Sequence, residues 1–179
     1  MMKKIVAFAG SNSYVSINKE LIKYTAASLG QFDVNFLDLN DFEMPVYSLY
    51  REKNEGVPEQ AHRFRKLMHE ADGIVMSVAE HNWSIAATLK NLLDWCSRVD
   101  MNIFNHKPML LMSASISKAG GVQALNYMLY VKDKFSMNVV ETFSLPSFNH
   151  SFADGRITDE YLKTEHNTKV TTFAERVGR

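Results

Sequence analysis

Short apolar runs alternate along the chain with segments whose apolar residues recur at helical spacing. Lys4 to Ala9, KIVAFA, reads as a buried strand, and Ile17 to Leu29 as a helix with Leu21, Ile22 and Leu29 on one face. Asp33 to Leu39, DVNFLDL, sets Val34 and Phe36 at strand alternation and predicts a second strand. Pro45, Gly56 and Pro58 punctuate Phe42 to Pro58, which reads as a long loop. A helix over Glu59 to Glu70 and a strand over Gly73 to Val78, GIVMSV, follow. Ile85 to Cys96 is the next predicted helix, with Ile85, Leu89, Leu92 and Cys96 on one side and Ser84 placed to cap it. Pro108 to Met112, PMLLM, is a fourth strand, Gly121 to Phe135 a helix, Met137 to Val140 the opening of a fifth strand, and Thr158 to Arg176 a terminal helix.

Five strands interleaved with helices imply a parallel sheet covered on both faces, because parallel neighbours need crossover connections. The expected architecture is one doubly wound α/β domain over residues 1–179. Ligands of such sheets sit outside the carboxyl ends of the strands, near the switch point in strand order.

Composition narrows the class. With 20 basic and 20 acidic side chains the net charge is zero, which gives no support for nucleic-acid binding. The apolar run in MMKKIVAFAG is only about six residues long, too short for a signal peptide, and no stretch approaches the roughly 20 apolar residues of a membrane span. A cytoplasmic, soluble protein is expected. The lone cysteine, Cys96, falls at an apolar helix position and reads as a buried inert thiol. No Cys/His cluster has metal-ligand spacing, since His62 and His69 stand seven residues apart and the other histidines are scattered.

Three polar loops follow strand ends. Gly10 to Asn18, GSNSYVSIN, leads into a helix, where unsatisfied N–H groups, the positive end of the dipole and serine hydroxyls suit an anion. Ser16 or Asn18 could equally be an ordinary N-cap. The loop has neither the G-x-x-x-x-G-K-[ST] of a P-loop nor G-x-G-x-x-G. Glu80, His81, Asn82 and Trp83 follow the third strand; groups there could meet the edge of a planar heterocycle with His81 or Trp83 flanking its face, or the segment could be an irregular β–α turn with Ser84 capping the helix. Ser113 to Gly121, SASISKAGG, adds hydroxyl donors and two glycines that permit close backbone approach, though a flexible loop ending in a helix start would also use Gly-Gly.

These loops resemble those of the NADPH-dependent FMN reductase family of the flavodoxin-like superfamily, from Lys3 to about Val140. Gly10, Ser11, Ser16 and Asn18 match its first loop, with Ser13 where an arginine is common. Glu80, Asn82, Ser84, Leu89, Lys90, Asn91, Asp94 and Trp95 match its second signature, with His81 in place of a tyrosine and Ala86-Ala87 in place of Pro-Gly. Ser113, Ser115, Gly120 and Gly121 match its third. The resemblance implies a flavodoxin-like sheet of order 2-1-3-4-5 and an FMN-dependent NAD(P)H oxidoreductase. By that account hydride passes from NADPH or NADH to FMN, and electrons pass on to a flavin, quinone or azo-type acceptor in a ping-pong cycle.

It further implies that Ser11, Ser13, Ser16, Ile17 and Asn18 hold the phosphate. Glu80, His81, Asn82 and Trp83 would border the flavin ring on one side, and Ser113, Ala114, Ser115, Gly120 and Gly121 on another. No side chain is assigned as catalytic, because FMN carries the chemistry. His81, if protonated, would stabilise negative charge on the reduced ring. Ser13 in place of arginine weakens the phosphate contact unless Lys19 supplies the charge. Tyr47 and Tyr50 are expected beside the substrate, and the assembly is expected to be a homodimer or a dimer of dimers. Two other readings stay open: a flavodoxin-type electron carrier, and a flavin-less member with an interaction role.

Overall fold

The computed structural model describes residues 2–179. Five parallel strands, β1 (Lys4–Gly10), β2 (Asp33–Leu37), β3 (Gly73–Val78), β4 (Pro108–Ala114) and β5 (Asn138–Leu145), form one sheet of order β2-β1-β3-β4-β5. All six residues of β3 and the last six of β1 and β4 are buried, which is why these strands read as unbroken apolar runs. Edge strand β2 is largely solvated: Val34 is half-buried, but Phe36, its partner in the predicted alternation, is exposed.

Alternating residues feed two cores. Val6, Phe8, Ile74, Met76, Met109 and Leu111 meet helices α3 (Glu59–Glu70), α4 (Ala87–Val99) and α5 (Val122–Val131) on one face. Ile5, Ala7, Val75, Leu110 and Met112 meet α1 (Ile17–Ala27) and α7 (Glu160–Gly178) on the other. At the end of β1 the backbone runs against α4: a Cβ on Gly10 would lie 2.7 Å from Cδ2 of Leu89, so glycine permits that contact.

Three segments depart from the sequence reading. The expected loop over Phe42 to Pro58 contains a helix, α2 (Leu49–Glu55), capped by Ser48 Oγ accepting from Arg51 N–H. Ser84 does not cap α4. It pairs with His81 in a two-stranded antiparallel ribbon, Glu80–His81 against Ser84–Ile85, and α4 begins only at Ala87. A second ribbon, Phe152–Ala153 against Arg156–Ile157, and a one-turn helix α6 (Phe148–Ser151) precede α7. Among the described residues no helix is long and apolar enough to cross a membrane.

Candidate active site

The loops after β1, β3 and β4 converge on one cleft of about 270 Å³ beyond the carboxyl end of the sheet. Nine of the residues singled out from the sequence line it: Ser11, Ser13, Ser16, Ile17, Asn18, Glu80, His81, Ala114 and Ser115. Val15, Ala79 and Ile116 line it too. These three gave no polar signal in the sequence; their adjacency to polar neighbours was the only clue. A larger hollow of about 580 Å³ lies elsewhere, between the end of α1 and α7, and holds none of the motif residues.

On the side of the loop after β1, Ser16 caps α1 with Oγ accepting from Lys19 N–H at 3.4 Å. The N–H groups of Ile17 and Asn18, in the first turn, have no acceptor within the helix. Ser11 is buried, and its Oγ accepts from Ser13 N–H at 3.2 Å, leaving the Ser11 hydroxyl proton to donate. Donors and the positive helix end therefore face the cleft together. Lys19 does not supply the charge that Ser13 lacks: its Nζ is ion-paired with Asp38 at 2.7 Å. Burial alone would raise the pKa of Asp38, but Lys19 and the bonds from Asn40 outweigh it and hold the carboxyl below its ordinary value. Among the described residues no Lys or Arg lines the cleft.

The Asn18 side chain is committed to the protein. Its Oδ1 accepts from Ser77 Oγ at 2.7 Å and from Ala114 N–H at 2.9 Å, while Nδ2 donates to the Ala114 carbonyl at 3.2 Å. Because Ala114 offers one donor and one acceptor, the amide can face only one way. One buried side chain thus ties α1 to the ends of β3 and β4, and its contribution to the cleft comes from its backbone.

The third loop is held in a similar manner. The carbonyl of Gly120 accepts from Ser113 Oγ at 2.7 Å and Ser144 Oγ at 3.0 Å. Gly120 has φ +66°, and a Cβ there would collide with Ser144 Oγ. Gly121, φ +79°, opens α5 without a side-chain cap of its own. Glu80 provides one from across the cleft: its Oε2 accepts from Gln123 N–H at 2.9 Å and Ala124 N–H at 3.2 Å. Ser113, Gly120 and Gly121 therefore lie behind the cleft wall and shape it.

Asn82 and Trp83 form the turn of the ribbon, outside the lining, with Trp83 exposed. The shared signature residues of α4 act on the loop after β2. Asn91 Oδ1 accepts from Tyr47 N–H at 2.8 Å, Asn91 Nδ2 donates to the carbonyls of Met44 and Pro45, and Trp95 Nε1 donates to the Pro45 carbonyl at 2.7 Å. Tyr47 packs edge-on against Trp95 and its hydroxyl donates to Glu52; Tyr50 is exposed. Among the described residues no group of His, Cys, Asp and Glu could hold a metal ion.

The donor set suits a phosphate monoester at α1, and Ala79–His81 with the Ser115 hydroxyl line polar space beyond it, so FMN fits the residues present. The chain is 30% identical over 172 residues to the 2-hydroxy-1,4-benzoquinone reductase of Burkholderia sp, covering 92% of each chain. It is 30% identical over 190 residues to a quinone reductase of Escherichia coli K12, covering 98% of this chain and 96% of the relative. The fold matches that of FerB, a flavoenzyme NAD(P)H:(acceptor) oxidoreductase from Paracoccus denitrificans, with TM-score 0.78 and 21% identity over 98% of this chain and 97% of that one. The model of the NADPH-dependent FMN reductase family matches residues 3–150, and the chain, an oxidoreductase that uses FMN and a reduced nicotinamide nucleotide, belongs to that family.

Proposed function

We propose that the cleft binds FMN with its phosphate at the start of α1 and its ring toward the ribbon and third loop, and that the protein reduces quinone, flavin or azo-type acceptors in a ping-pong cycle. The observation that carries this reading is the convergence of three donor-rich loops on one cleft with a helix N-terminus at its base. Bound FMN supplies the redox chemistry, taking hydride from NADPH or NADH and giving two electrons to an acceptor. The hydroxyls of Ser11, Ser13 and Ser16 and the N–H groups of Ile17 and Asn18 bind the phosphate. The Glu80–His81 and Ala114–Ser115 segments orient the ring, and Ser113, Gly120 and Gly121 hold the third loop in place. Asn82 steadies the ribbon turn, and Tyr47 and Tyr50 stand toward the substrate.

A cleft of about 270 Å³ falls just below the usual range of ligand sites, roughly 300 to 1,000 Å³. The ring therefore extends over its mouth and needs further cover. Exposed Tyr14, Val15, Val46 and Ile116 sit on the loops at this end of the sheet, with exposed Leu49 and Tyr50 at the start of α2, and a second copy of the chain in a homodimer is the cover we propose. A cytoplasmic setting, where reduced nicotinamide nucleotides are made, goes with this reading. Initial rates with varied NADPH and a p-quinone test it: parallel double-reciprocal lines are expected, and intersecting lines would contradict the shared-cleft cycle.

A further inference from the structure

The ribbon beside the cleft holds one residue in a conformation the fold does not explain. Asn82, φ 50°, and Trp83, φ 67°, are the two central residues of its turn, both in the left-handed region. Such two-residue hairpin turns favour Asn-Gly, because glycine takes the second position without strain. A bulky tryptophan there is a true outlier. Burial does not offset the strain, since Trp83 is 78% exposed while the chain's other tryptophan, Trp95, is fully buried. The ribbon is nevertheless held firmly: Glu80 is bonded to two N–H groups of α5, and Ile85 is buried. Its first strand carries His81 on the cleft lining, so its tip stands at the cleft mouth. Strain kept beside a functional cleft points to a role there.

We propose that Trp83 determines acceptor specificity, its indole serving as a stacking platform for planar conjugated acceptors of the quinone or azo class. This rests on the function proposed above. It moves Trp83 from the cofactor's border, where the resemblance to the family put it, to the acceptor's side. An offset-stacked aromatic pair is worth a factor of about three to ten in affinity, and a small inorganic acceptor gains nothing from it.

The test compares FMN-loaded wild type, Trp83→Gly and Trp83→Phe at saturating NADPH, with a p-quinone and with ferricyanide. Two ferricyanide ions take the electrons that one quinone takes. The expected result for Trp83→Gly is a three- to tenfold fall in the ratio of kcat/KM for quinone over ferricyanide. KM should carry the fall, Trp83→Phe should recover most of it, and the melting temperature should hold because glycine suits the turn. An unchanged ratio overturns the proposal, and so does a loss of bound flavin or a change in assembly size in Trp83→Gly. If wild type itself fails to load FMN or to be reduced by NADPH or NADH, the function proposed above fails; an active wild type with an unaltered ratio in the variant defeats this inference alone.

Discussion

Replacing Asn18 by alanine should damage the protein far more than an ordinary loop substitution. The side chain is 2% exposed and makes three hydrogen bonds, to Ser77 Oγ, Ala114 N–H and the Ala114 carbonyl. Alanine removes the amide and leaves those partners in a buried position. The Ser77 hydroxyl can rotate toward another acceptor, but the Ala114 backbone groups cannot move without disturbing β4. At roughly 1–3 kcal/mol for each buried group left unsatisfied, the expected loss is about 3 kcal/mol. For a chain of 179 residues that is a drop of roughly 6–12 °C in melting temperature. Urea unfolding of the FMN-free protein, followed by circular dichroism, measures it as a lower midpoint with an unchanged slope. A double-mutant cycle with Ser77→Ala gives the sharper test, because residues in contact should couple by at least about 0.5 kcal/mol. A loss under about 1 kcal/mol, or full additivity with Ser77→Ala, would refute the clasp.

Glu80→Ala should cost about 1 kcal/mol by uncapping α5, and Glu80→Gln, which keeps an acceptor, should cost less; thermal melts of the two variants decide this. His166 is fully buried on the α1–α7 side of the sheet, with Nε2 2.9 Å from Thr25 Oγ1, and burial pushes its pKa down to about 4. Above pH 6.5 the imidazole is neutral whether the chain is folded or not. As pH falls from about 6.5 to about 4 only the unfolded form gains the proton, so stability should fall by about 3 kcal/mol across that window, and His166→Gln should flatten the slope in urea titrations. Burial pushes the Cys96 thiol up to about 12, so iodoacetamide at pH 8 should leave the folded protein unlabelled and label it on unfolding; mass spectrometry reads the difference.

The parts of this molecule that were legible in the sequence are those fixed by local pattern. β1, β3 and β4 are buried on both faces and so print continuous apolar runs, and α3 and α4 carry clear apolar stripes. Strand β2 misled at Phe36 because an edge strand has little sheet around it to bury that face. The ribbon was invisible because each of its strands has two residues and its turn is Asn-Trp, not the Asn-Gly that announces a hairpin. With it hidden, Ser84 looked like a helix cap.

In the site, the polar loops announced themselves, but their internal division did not. The roles of Glu80 and Asn18 depend on partners distant in the chain: Glu80 reaches 43 and 44 positions and Asn18 up to 96. Lys19 stands next to the loop after β1 in sequence, yet its side chain leaves for Asp38. Residue type signalled the chemistry available; only tertiary placement separated the groups that face the cleft from those that hold it in shape.

The most direct test of the central claim is the visible spectrum of the protein loaded with FMN, recorded anaerobically before and after NADPH and then NADH. A flavin band that either nucleotide bleaches is expected, and Ser16→Ala and Ser11→Ala should each weaken FMN retention. A protein that cannot be loaded with FMN, or whose flavin is bleached by dithionite and by neither nucleotide, would contradict it.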